Sequence, residues 1–213
     1  MSKIKITINK LTKRFGKTPV FSGVDMDCQL PGIYGVSGNN GAGKTTFLKI
    51  IAGVMKPTSG EVLIKINDYK ILAERTYRHT AFAAPYLNLY DEFSAEENLR
   101  LTAGLRSEKY DSKRAEYLLH KVSLYSKKNE LLKNYSSGMK QKVKLINSLL
   151  AESLLIIWDE PFTNMDSEGK EAVTALIRPE AEKKIILIAS NREDELALCG
   201  SVLDLNSFSK KGN

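Results

Sequence analysis

Ile4, Ile6 and Ile8 alternate with polar residues, the period of a strand with one buried face. Val24, Met26, Cys28 and Leu30 repeat that alternation, and Pro31 and Gly32 close it. Ile33, Tyr34, Gly35 and Val36 form a short apolar run that feeds directly into a glycine-rich turn. Residues 46–52 carry apolar side chains at helical spacing, with Gly53 as the expected stop. Pro57, Thr58, Ser59 and Gly60 read as a turn, and residues 61–66 alternate again as a strand.

The middle of the chain changes period. Ser94, Ala95, Glu96 and Glu97 make a capping box, which predicts a helix start. A second helix is expected after Asp111, running to about Val122. Residues from about 90 to 150 are therefore expected to be mostly helical, with no strand pattern among them. Strand and helix then alternate once more: a strand over 154–158, a helix over about 167–177, and strands over 185–189 and 202–205. Residues 209–213 read as a disordered tail. The prediction is a single α/β domain over 1–213, with its core in about 1–89 and 154–206 and a helical lobe at about 90–153.

Composition narrows this little. A chain of 213 residues suits one domain, and 42% hydrophobic with 27% charged residues is ordinary for a globular protein. The longest apolar run, Leu154 through Trp158, falls far short of the roughly 20 residues a membrane helix needs. The start has no apolar stretch that could act as a secretory signal, so a cytoplasmic chain is expected. Cys28 and Cys199 share no metal-ligand spacing and are expected as buried thiols. A formal charge of +7 invites a nucleic-acid reading, but the basic residues are scattered, and no nucleic-acid partner is expected.

The chemistry begins at Gly38, Asn39, Asn40, Gly41, Ala42, Gly43, Lys44, Thr45, which fits the P-loop pattern G-x-x-x-x-G-K-[ST]. Its glycines let successive amides curl around an anion, and the helix that follows, from Thr46 on, points its positive end at the same phosphates. Lys44 would neutralise phosphate charge and Thr45 would offer a hydroxyl to Mg²⁺. A second element fits this one. The apolar run at 154–158 ends in Asp159 and Glu160, so a buried parallel strand would deliver two acids at its carboxyl edge. Asp159 is expected in the Mg²⁺ shell and Glu160 as the group that polarises the attacking water.

With these motifs in place, the chain resembles the ABC ATPase family over nearly its whole length. Tyr135, Ser136, Ser137, Gly138, Met139 resemble the LSGGQ signature, which in the family caps the γ-phosphate held by the partner subunit's P-loop. Ser136, Ser137 and Gly138 are the matching contact positions, and an ordinary serine helix cap is the bland alternative. Thr163, Asn164, Met165, Asp166 resemble the family's D-loop, although Asp166 could equally cap the next helix. Phe15 stands where the family places an aromatic ring against adenine, or else it belongs to the core.

Two positions depart from the family pattern. Pro85 replaces the usual glutamine and offers no side-chain amide, so that contact is expected to be absent or supplied elsewhere, with Asn88 as the candidate. Asn191 replaces the usual histidine, keeping a hydrogen-bond donor and losing the option of charge. Slow ATP hydrolysis is the expectation. The resemblance implies a P-loop NTPase core with a mixed sheet, an N-terminal antiparallel β region and an inserted helical signature lobe. It also implies ATP and Mg²⁺ as ligands and head-to-tail pairing with a second nucleotide-binding subunit, a homodimer by preference. An integral membrane permease would dock near Tyr86, Leu87, Leu89 and Tyr90, unless those four pack inside the molecule. The YSSGM variant resembles export-type members. A soluble single-domain ABC ATPase in cofactor or macromolecular assembly is the alternative.

Overall fold

The computed structural model describes residues 3–209. The chain opens with strands β1 (Ile4–Phe15), β2 (Thr18–Cys28) and β3 (Gly32–Ser37) and the helix α1 (Lys44–Ile51). Strands β4 (Ser59–Ile66), β5 (Tyr69–Ile71) and β6 (Thr80–Ala83) follow, then helices α2 (Ala95–Leu105), α3 (Ser112–Lys121) and α4 (Ser137–Leu150). Then come β7 (Leu155–Asp159), α5 (Ser167–Ala181), β8 (Ile185–Ala189), α6 (Glu193–Leu196) and β9 (Ser201–Asp204). Of the tail expected to be disordered, residues 210–213 lie outside the described residues. The chain divides into two compact units, one from residues 3–82, 153–160 and 181–209, the other from 83–152 and 161–180.

The first unit carries two sheets. An antiparallel one runs in the order β2-β1-β4-β5, and a second runs β6-β7-β8-β3-β9, parallel from β7 through β9. The alternation in β1 buries Ile4, Ile6 and Ile8 and turns Lys5, Thr7 and Asn9 outward. β7 and β8 are buried at every position, as strands flanked on both sides and covered on both faces must be. Phe47 of α1 meets Phe21 of β2 edge to face, with ring centroids 5.7 Å apart. That contact seats the P-loop helix on the core.

β1 runs on past the alternating stretch to Phe15, because the chain inserts a bulge. Lys10 takes φ 45°, its amide is held by Asp25 Oδ1 at 2.7 Å, and pairing resumes at Leu11 in a shifted register. Gly60 makes room for this bulge, since a Cβ there would collide with the Lys10 carbonyl. β2 stops at Cys28, so Leu30, expected to continue the alternation, is exposed instead. Cys28 is buried as expected, whereas Cys199 is only half-buried, since α6 ends just before it near the surface.

The second unit is helical. Ser94 Oγ accepts from the Glu97 amide while Glu97 reaches back to the Ser94 amide, so the capping box forms. Asp111 caps α3 through the Arg114 amide at 3.0 Å. α2 and α3 both pack on α4, burying Leu99, Leu118, Leu119, Val143, Ile146 and Leu149. α5 runs past the expected end at 177 and includes Pro179. A tertiary contact overrides the proline: Glu180 is gripped by Arg114 at 2.6 Å, and the same guanidinium donates to the Leu149 carbonyl at 3.0 Å.

Candidate nucleotide site

The parallel sheet ends its strands on one edge, and each end supplies a candidate group. β3 leads into the loop of Gly38 through Gly43, β7 ends in Asp159 and Glu160, and β8 leads to Ser190 and Asn191. In open α/β sheets that edge is where ligands bind.

The loop is shaped by its glycines. Gly41 takes φ 85° and Gly43 φ 96°, conformations a Cβ disfavours, and a Cβ on Gly43 would also collide with Val20. Gly43 is the cap of α1, and its carbonyl accepts from the Phe47 amide at 2.8 Å. Lys44 is buried, and its Nζ donates to the carbonyls of Gly38 (2.7 Å) and Asn39 (3.3 Å), so the ammonium is held at the loop's own rim. Thr45 Oγ1 donates to Asp159 Oδ2 at 2.5 Å, which unites the loop with the acidic strand end. Burial pushes the Asp159 carboxyl up from its ordinary range, opposed by the Thr45 bond and by the charges of Lys44 and Lys49, while Glu160 adds to the rise. A hydroxyl and a poorly compensated carboxylate, both hard oxygen donors in contact, suit a small divalent cation such as Mg²⁺.

Glu160 has φ 48°, a left-handed conformation rare for a non-glycine residue, and its amide donates to the Ala189 carbonyl at 2.8 Å. Asn191 Nδ2 donates to Asn40 Oδ1 at 3.3 Å, bringing the histidine substitute onto the phosphate loop. Phe15, at the tip of the β1–β2 hairpin, is 53% exposed and therefore not core; Lys13 Nζ covers one ring face at 4.9 Å. Asn206 was not foreseen: its Oδ1 accepts from the Asn39 amide at 3.0 Å and braces the loop from beyond β9. The only sequence signal for it is the turn-forming Asp204, which accepts from the Asn206 amide at 3.0 Å.

The remaining predicted residues belong to the helical unit. Ser136 caps α4 through the Met139 amide at 3.2 Å, leaving Ser137 and Gly138 in the first turn. A Cβ on Gly138 would stand 2.5 Å from the Asn164 carbonyl, so glycine lets the backbone at Asn164 press on the first turn of α4. Asn164 itself takes φ 61°. Asp166 caps α5 through the Gly169 amide at 2.8 Å, and Lys142 lies 3.7 Å from the same oxygen. Tyr86, Leu87 and Tyr90 are exposed and Leu89 half-buried, so these residues are not interior packing; Asn88 is exposed as well.

The family model for ABC transporters matches residues 21–163, a span that holds the phosphate loop, the signature and the acidic strand end. The chain belongs to the ABC transporter family of ATP-binding proteins. Members of this family are ATPases. The chain is 33% identical over 174 residues to the uncharacterized ABC transporter ATP-binding protein YcbN of Bacillus subtilis, and 31% identical over 172 residues to the bacitracin transport ATP-binding protein BcrA of Enterococcus faecalis. Each alignment covers 81% of this chain and 56% of the relative, so the chain spans little more than half of those proteins. A solved structure from Pyrococcus furiosus, assigned as an ABC transporter ATP-binding protein, superposes with a TM-score of 0.85 at 26% identity, covering 97% of this chain and all of that one. The parallel and antiparallel sheets of this chain are those of an ABC ATPase domain with a P-loop NTPase core. No helix among the described residues is long and apolar enough to cross a membrane.

Proposed function

We propose that this chain binds MgATP on the loop of Gly38 to Thr45 and hydrolyses it as the energy-converting subunit of a membrane transporter. The observation that carries the reading is the Thr45–Asp159 contact beside a buried Lys44 at the end of parallel strands. In this reading the loop from Gly38 to Gly43 curls around the phosphates and the amides of Lys44, Thr45 and Thr46 hold them, while the Asn39 and Ala42 amides keep the loop in shape through Asn206 Oδ1 and the Asn39 carbonyl, and Lys44 leaves the loop carbonyls to neutralise the charge. Thr45 and Asp159 would hold Mg²⁺, which when bound neutralises phosphate charge and orients the β- and γ-oxygens. Glu160 accepts a proton from the attacking water, and Asn191 donates a hydrogen bond to the γ-phosphate. Phe15, with one face covered by Lys13, offers the other to the adenine ring.

Ser136, Ser137, Gly138 and Asp166 act in trans, on the nucleotide held by a second copy, because these 213 residues carry a single phosphate loop and a single signature, and those four residues lie in the unit that does not hold the loop. Two copies packed head to tail make two such sites. The exposed cluster of Tyr86, Leu87 and Tyr90 is the docking surface for a separate membrane permease, which would place the chain on the inner face of the membrane. Export is the direction favoured by the YSSGM signature. Titration calorimetry tests the reading at its base: Lys44→Ala should weaken MgATP binding about 10- to 100-fold, the loss of a charge-assisted bond of about 1.5–3 kcal/mol. Unchanged affinity would refute it.

A further inference from the structure

Lys140 and Lys144 stand one turn apart on α4, and so on one face of the helix. Each reaches the same surface loop at opposite ends. Lys144 Nζ donates to the Pro85 carbonyl at 2.6 Å, and Lys140 Nζ pairs with Asp91 Oδ1 at 2.8 Å. Between those anchors lie Tyr86, Leu87 and Tyr90, the exposed residues of the docking cluster. The loop's far end is rigid in its own right. Buried Asn98 brackets Tyr90, accepting from its amide at 2.8 Å and donating to its carbonyl at 3.0 Å, and the Lys133 amide holds the Asp91 carbonyl at 2.9 Å.

We propose that Lys140 and Lys144 are positioning residues that tether the loop 85–91 to α4, so that displacement of the loop is passed to the phosphate-capping turn at Ser136 to Gly138. The proposal deepens the function given above and rests on its assignment of that turn to a nucleotide. Two lysines at this spacing repel each other, and burial, with that repulsion added, lowers the Lys144 ammonium's affinity for its proton. The Pro85 carbonyl and the Asp91 carboxylate offset both costs, so the loop and the helix face stabilise one another in this arrangement.

Hydrogen exchange read by mass spectrometry on the full chain, in the Glu160→Gln background with and without MgATP, tests this. Without nucleotide, adding Lys140→Gln and Lys144→Met should raise exchange over 86–91 about tenfold, equivalent to the loss of about 1.4 kcal/mol of local stability. Unchanged exchange there overturns the tether. With MgATP, the Glu160→Gln chain should be protected at both 86–91 and 138–141, whereas the lysine variant should keep protection at 138–141 and lose the response at 86–91. An equal loop response in both proteins overturns the proposal as well. If 138–141 is indifferent to MgATP in both, the phosphate-capping assignment is itself wrong and the transmitting role falls with it, a result the nucleotide-free comparison separates from a missing tether. Should the double substitution unfold the chain by circular dichroism, Lys140→Gln alone, at a partly exposed side chain, carries the same comparisons.

Discussion

Glu160 holds its carboxylate at the strand end by adopting φ 48°, and a left-handed L-residue costs roughly 1–2 kcal/mol. Replacing it with glycine should therefore abolish hydrolysis and raise stability by about 1 kcal/mol, or about 2–4 °C in Tm for a chain of this size. A lower melting temperature for Glu160→Gly would mean that its contacts outweigh the strain. Asn191 gives a second prediction. Since its amide already reaches Asn40 on the phosphate loop, Asn191→His should place an imidazole at the γ-phosphate and raise turnover about tenfold, equivalent to about 1.4 kcal/mol of barrier. Equal or slower turnover in a folded variant would show a site adapted around asparagine. At this scale the phosphate loop and the acid pair were legible because a motif fixes spacing, strand and helix together. The bracing role of Asn206 was not, because it arises where β9 pairs beside β3, a register no local pattern encodes.

Among the elements, long periodic segments and their caps were readable: the alternation of Ile4, Ile6 and Ile8, the capping box at Ser94, the Asp111 cap. What escaped was decided by tertiary contacts. The bulge at Lys10 needs Asp25 and Gly60 from other strands, the end of α5 needs Arg114 from α3, and three-residue β5 is too short for any period. The signature helix yields the prediction that belongs here. Gly138→Ala puts a methyl 2.5 Å from the Asn164 carbonyl, so the D-loop or the first turn of α4 must shift. Under the proposed function, hydrolysis should fall at least tenfold while ATP affinity of the isolated chain stays within about twofold, because the nucleotide would be held by the other unit and the signature would act on a partner's. Calorimetry and a phosphate-release assay separate the two quantities. A variant that loses affinity and turnover in parallel would place Gly138 in the chain's own binding site.

At the scale of the whole molecule, the candidate residues fall into two compact units: one carries the loop of Gly38 to Thr45, Asp159, Glu160 and Asn191, the other the turn of Ser136 to Gly138, Asp166 and the loop 85–91. The central proposal is that such a chain completes a site by pairing with another copy, each unit bringing half of it. In the proposed function the pairing would be stable while the γ-phosphate bridges the copies and released when it is cleaved. The direct measurement is light scattering after size-exclusion chromatography of Glu160→Gln, with MgATP and with MgADP. The account predicts a monomer mass with MgADP and twice that mass with MgATP, and loss of the ATP-dependent doubling when Ser136→Arg is added. A Glu160→Gln chain that binds MgATP and stays monomeric at concentrations of tens of micromolar would contradict it.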